Sequence, residues 1–278
     1  MPFCTLNSFC FLGKVHVKAC FGLRLKGVKI PSKTTAYGRT DMPDDPDRTA
    51  HETALVAILL MWQKRSRVDL LERIRAEQAV AESYWRREQE RLMTELRPRL
   101  QVVAHRAGVA TATQLGYEIS PIEQILSSAR TAEVQSRRYA DWIVDAIREN
   151  YERDIDDVII GGMSVNDLLD DAYKQYKAAR DAISMTTDTI TGAETDTAKR
   201  IQQYVQRERV LTGNTIRTVA IWRIEDDNAC KLCKPQDGVM EDDWPEEQKL
   251  GPTAHPSCRC YLTWHIMIDG VIQPLPLA

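Results

Sequence analysis

Acidic side chains are absent from the first forty residues, cysteine is absent from the two hundred and more between Cys20 and Cys230, and no apolar run exceeds Ala54 to Trp62. That run is too short for a bilayer-spanning helix, which needs roughly 18 apolar residues in succession. Familiar catalytic signatures are missing too. His51-Glu52 begins like a zinc-protease motif, but Leu55 stands where the second histidine belongs. Gly162-Met163-Ser164-Val165-Asn166 lacks the second glycine of a nucleophile elbow, and no phosphate-binding loop occurs. His105 has no sequence partner and reads as a surface or packing histidine.

What is there has a globular composition. The 278 residues are 43% apolar and 28% charged, which excludes a wholly disordered chain and gives room for one large domain or two ordinary ones. The net charge of −3 conceals an asymmetry. Residues 1–40 hold seven Lys or Arg, whereas the remainder holds thirty basic groups against all forty acids. A body of that balance is a poor general DNA binder, because duplex affinity rests on neutralising phosphates. Residues 1–41 read as an unstructured tail, or as upstream translated sequence ahead of a start at Met42, with a basic nucleic-acid arm as the functional alternative. Lys14 follows the apolar stretch Phe3 to Leu12 instead of preceding it, which argues against a secretory signal. Gly22, Gly27 and Pro31 disfavour an amphipathic presequence.

From about Thr53 to Leu211 the residues are good helix formers. Ser66 and Asp69 predict a helix start running to about Leu96, with Pro98 forcing a kink or stop. Ser120-Pro121-Ile122-Glu123 predicts a sharper start. Ile122, Ile125, Leu126, Ala129, Tyr139, Trp142, Ile143, Ala146 and Ile147 then form one expected buried stripe on a helix of about thirty residues. Ser164 and Asp167 predict a third start, for a helix carrying Leu168, Leu169, Ala172, Tyr173, Tyr176 and Ile183, and a further helix covers about Thr195 to Leu211. Trp62, Trp85 and Trp142 read as packing anchors. The expected fold is mainly α: a long-helix bundle or helical hairpin over 42–212, followed by a small α+β zinc-binding module over 213–278.

The chemistry sits in that module. Cys230 and Cys233 form a Cys-x2-Cys pair, and after a gap of 21 residues come His255, Cys258 and Cys260. A two-residue spacer lets both thiolates of a tight turn face one ion, and a second group returning from a distant loop completes a tetrahedron. Five candidates compete for four places. Cys230, Cys233, His255 and Cys258 are the favoured set, with Cys260 as spare or as replacement for His255. Four thiolates on one ion are open as well, and two disulfides are the main competing reading. A closed set of four soft ligands leaves no vacancy for water, so the expected ion is structural Zn2+. Asp226, Asp227, Glu241, Asp242 and Asp243 read as loop solvation. Thr218 to Glu225 and Tyr261 to Ile268 read as strands, the second entering a tight turn at Asp269-Gly270.

The segment from Trp222 to Cys260 resembles the C-terminal motif of the phage Mu protein F-like, or minor head protein, family. The resemblance is carried by Trp222, Asp226 or Asp227, Cys230, Cys233, Gly238, Pro252, His255, Pro256, Cys258, Arg259 and Cys260. It implies a non-catalytic minor capsid protein that assists head morphogenesis. Its partners would be the portal and other capsid proteins, with packaged DNA as a further contact and neither membrane nor small-molecule substrate. Its location would be the virion interior, and the bacterial host cytoplasm during assembly. Two alternatives come from other classes: a zinc-dependent hydrolase or nuclease of phage origin, and a zinc-containing DNA-binding protein.

Overall fold

A computed structural model describes residues 48–76, 80–174, 176–209, 215–224, 229–254 and 258–273. Five helices come first: α1 (Arg48–Arg75), α2 (Glu82–Gln114), α3 (Pro121–Ile159), α4 (Val165–Ala172) and α5 (Ala178–Arg209). An antiparallel sheet follows, in the order β1 (Ile216–Arg223), β2 (Tyr261–Ile268), β3 (Val271–Ile272). A mainly helical protein with a small C-terminal sheet is what the residue pattern predicts. The expectation for residues 1–41 lies outside the described residues.

Two of the local start signals operate as expected. The Ser120 hydroxyl accepts from the Glu123 amide at 3.2 Å with Pro121 in the first turn of α3, and the Ser164 hydroxyl accepts from the Asp167 amide at 3.1 Å to open α4. Other boundaries differ. Ser66 starts no helix but lies in the middle of α1, its hydroxyl 2.8 Å from that of Tyr173. The buried stripe Leu55, Leu59, Trp62, Ser66, Leu70 runs at three- and four-residue spacing straight through it, so packing overrides the local cap signal. Pro98 does not end α2. An interior proline costs about 3 kcal/mol, but Leu92, Leu96, Leu100 and Val103 are fully buried on both sides of it at about 1.5–3 kcal/mol each. The helix from Ser164 stops at Ala172, where Tyr173 is fastened to Ser66. Ile183 belongs to α5, which runs unbroken through Thr195.

α5 packs against α1, α2, α3 and the sheet. Many of its buried side chains are small or polar, among them Ala182, Thr186, Thr187, Thr189, Ala193, Thr197 and Ala198, with Met185, Ile201 and Val205 as larger apolar members. Small residues let neighbouring helices approach closely. A Cβ at Gly108 of α2 would meet the Thr197 hydroxyl at 3.0 Å. The buried stripe of α3 likewise runs through Ser128, Ala132, Ser136 and Ala140 before reaching Ile143 and Ile147.

This corrects the stripe expected from hydrophobicity alone. Ile122, Ile125 and Leu126 are exposed, and so is half of Trp142, at 49%, whereas Trp62 and Trp85 are buried anchors. The small residues of α3 make its close contacts, so its largest apolar side chains near the start are left outside. Ile143→Ala is therefore expected to lower unfolding free energy by about 2–5 kcal/mol and Ile125→Ala by less than about 0.5 kcal/mol, measured by denaturant titration. Equal effects would contradict this assignment of faces.

Candidate metal centre

The sheet positions the cysteines. β1 and β2 pair in register from Ile216 opposite Ile268 to Arg223 opposite Tyr261. Asp269 and Gly270, both at positive φ, make the turn into β3, as a two-residue hairpin of this type requires. The outer edge of β1 is covered by the loop after the first cysteine turn: Gly238 donates to the Trp222 carbonyl at 2.8 Å, and Trp222 donates to that of Val239 at 3.0 Å. Gly238 sits at φ +81°, where a side chain would be strained, which gives that glycine a backbone reason. Trp222 and Trp244 meet edge to face with centroids 5.3 Å apart beside the cysteines.

The first cysteine turn is tight, with the Cys233 and Lys234 amides both donating to the Cys230 carbonyl at 3.1 Å. Cys258 and Cys260 flank Arg259 immediately before β2. Cys233, Cys258 and Cys260 are all buried and bring their sulfurs within 4.8 Å of one another. Cys230 is exposed and stands outside that group. His255 lies outside the described residues, as do Pro256, Asp226 and Asp227.

Three converging thiols can hold a metal ion. Sulfurs about 2.3 Å from a tetrahedral ion stand about 3.8 Å apart. The Cys233 and Cys258 sulfurs are 3.6 Å apart, close to that separation and well beyond the roughly 2.05 Å of a disulfide. Without an ion the thiol form is favoured. Hydrogen bonding with Cys258 and Cys260, then burial, pushes the Cys233 thiol far above its usual range. At Cys258 the contact with Cys233 favours the thiolate, but the contact with Cys260 and burial outweigh it and push the thiol up to about 12. A metal entering here displaces protons.

The loop carrying Cys258 and Cys260 is fastened to the helices by buried charge. Arg48, on the first turn of α1, donates to the Arg259 carbonyl at 3.1 Å, to the Cys258 carbonyl at 3.3 Å, to the Thr187 hydroxyl at 2.6 Å and to Glu52 at 3.2 Å. Thr187 also donates to the Cys258 carbonyl, and Arg259 returns to the other Glu52 oxygen at 2.5 Å. Arg259 therefore has a role distinct from its neighbours' sulfurs: it pairs with α1. Arg48, Glu52 and Thr187 carry no recognisable motif, and sequence reasoning did not single them out for this site.

Glu194 of α5 is buried near the same network. Burial raises its carboxyl to about 8, opposed by the Trp264 indole and the Arg48 guanidinium, which favour the carboxylate. The acids in the β1–β2 connection are placed differently. Asp242 pairs with Arg217, whose guanidinium holds its carboxyl below the usual range, while burial raises Glu241.

No protein-family model, curated protein or solved structure matches the chain. No helix among the described residues is long and apolar enough to cross a membrane.

Two outcomes are expected. Titration with Co2+ should give thiolate-to-cobalt absorption whose apparent affinity rises with pH, by about tenfold per unit for each proton released, and Cys258→Ser should lose most of that band. Affinity independent of pH, or an unchanged band in the variant, would contradict the site. For Glu194, a folded-state value above the unfolded one makes the neutral acid the stabilising form. Its contribution is fully present below the ordinary value of 4.5 and is lost as pH rises toward about 8. The full span is worth at most roughly 5 kcal/mol. Glu194→Gln should flatten the dependence of stability on pH across that window, and a slope equal to that of the parent protein would count against it.

Proposed function

We propose that this chain is a minor head protein of a phage or prophage, of the Mu protein F-like class, acting in head morphogenesis without catalysing a reaction. In this reading the ion is structural Zn2+, bound by Cys233, Cys258 and Cys260. Cys230 or His255, in the segments leading to those thiols, supplies the fourth ligand. The helices present surface to portal and coat subunits inside the virion, after assembly in the host cytoplasm.

The observation that carries the reading is the burial of three of the motif's thiols against a core shared by helices and sheet. A dry site of that kind suits an ion that fastens two chain segments, since a catalytic zinc keeps one position open to water. Other residues behind the resemblance support it through structural roles. Gly238 closes the edge of β1, Trp222 packs on Trp244, and Arg259 pairs with Glu52.

Co-expression with the portal protein encoded by the same phage or prophage tests both parts. The expected result is a complex that survives affinity purification and contains about one zinc per copy of this chain. Lack of association at every salt concentration would overturn the assembly role, and a complex without zinc would overturn the structural ion.

A further inference from the structure

One thiol of the cysteine turn is open to solvent while three others are closed off. Cys233, Cys258 and Cys260 are buried, whereas Cys230 is exposed and stands outside their group. That difference decides which sulfur an oxidant meets first. A peroxide reacts with a thiol only where it reaches the sulfur, so Cys230 is the point of entry.

Cys230 is close to the buried thiols along the chain. The Cys233 amide donates to the Cys230 carbonyl at 3.1 Å, and a turn closed by such a bond brings its end Cα atoms within about 7 Å. A disulfide spans Cα separations of about 4.4–6.8 Å, so a bond between Cys230 and Cys233 fits that turn with little movement. Cys258 stands behind Cys233. Their sulfurs are 3.6 Å apart, roughly 1.5 Å more than an S–S bond. Cys258 is the anchored partner, its carbonyl accepting from both Arg48 and Thr187. Cys233 is thus one turn from the exposed thiol and in contact with a buried one.

We propose that Cys230 is an oxidation site through which a hydroperoxide converts the thiol cluster into a Cys233–Cys258 disulfide. Hydrogen peroxide transfers one oxygen to the Cys230 sulfur, giving a sulfenic acid, and leaves as water. The Cys233 sulfur attacks that of Cys230 and the S–O bond breaks. The oxygen departs as a second water, with a proton from Cys233 or, where an ion holds that sulfur, from solvent. The Cys258 sulfur then attacks that of Cys233, and Cys230 leaves as a thiol carrying the proton. In sum two thiols lose two electrons and two protons, and one peroxide becomes two waters. An ion at this centre loses two of its sulfurs and is released, and the disulfide joins the same two segments in its place. Only the release rests on the structural-ion reading, since the sulfur chemistry is the same in the metal-free chain.

The test treats the full chain, zinc-loaded and metal-free, with a small excess of hydrogen peroxide. Zinc is read with a chromogenic chelator, and disulfides by mass spectrometry of unreduced tryptic peptides. Cleavage after Lys231, Lys249 and Arg259 places Cys230, Cys233, Cys258 and Cys260 on four separate peptides. The expected result is a Cys233–Cys258 linkage in both forms, with zinc released in step with it and both changes reversed by dithiothreitol. Cys230→Ser should slow formation of that linkage about tenfold or more in the metal-free chain, and Cys260→Ser should leave it able to form. No Cys233–Cys258 linkage, or Cys230→Ser reacting at the parent rate, overturns the proposal. A chain that takes up no zinc yet forms the linkage at a rate set by Cys230 supports the oxidation site and overturns the structural ion alone.

Discussion

A guanidinium out of contact with water must have its donors satisfied, and Arg48 satisfies them with groups from three parts of the chain. Glu52 belongs to its own helix, Thr187 to α5, and the carbonyls of Cys258 and Arg259 to the segment leading into β2, which carries two of the clustered thiols. Removing one partner of a buried pair of this kind costs about 3–5 kcal/mol, so the three parts hold their relative positions together or lose them together. The approach to β2 is therefore located by the helical body. Cys258 and Cys260 face Cys233 as a consequence of where that approach is tied down.

The sheet is correspondingly not a separate unit with a core of its own. Trp222, Trp244 and Trp264 pack in one cluster with Ala112 and Leu115 at the end of α2 and with Ala198, Ile201 and Val205 of α5. A segment of some sixty residues buries too little surface to stand alone, and borrowing two helices is one way to enlarge the core. An ion held by these thiols would fix a loop whose surroundings are already packed. That differs from small zinc domains in which the metal substitutes for a core altogether.

The features legible in the sequence were those set by neighbours along the chain. Ser120-Pro121 and Ser164 cap helices because a hydroxyl reaches an amide three residues on, and Asp269-Gly270 turns because the local backbone demands positive φ. The spacing of the cysteines pointed to a shared ion, and Cys233, Cys258 and Cys260 do converge. What could not be read depended on distant packing. Ser66 has the form of a cap yet lies inside α1 because Tyr173, more than one hundred residues away, meets its hydroxyl. Pro98 looks like a stop and is carried through by a leucine stripe. Trp142 looks like an anchor, but α3 turns its small residues inward and leaves the indole half outside. Arg48 and Glu52 have no local signature, because their partners lie some two hundred residues away.

X-ray absorption at the metal edge of the protein purified without added metal is the most direct measurement of whether sulfur from this chain closes around one ion. The account requires zinc with at least three sulfur neighbours at about 2.3 Å. A metal-free protein, or an ion surrounded only by oxygen and nitrogen, would contradict it.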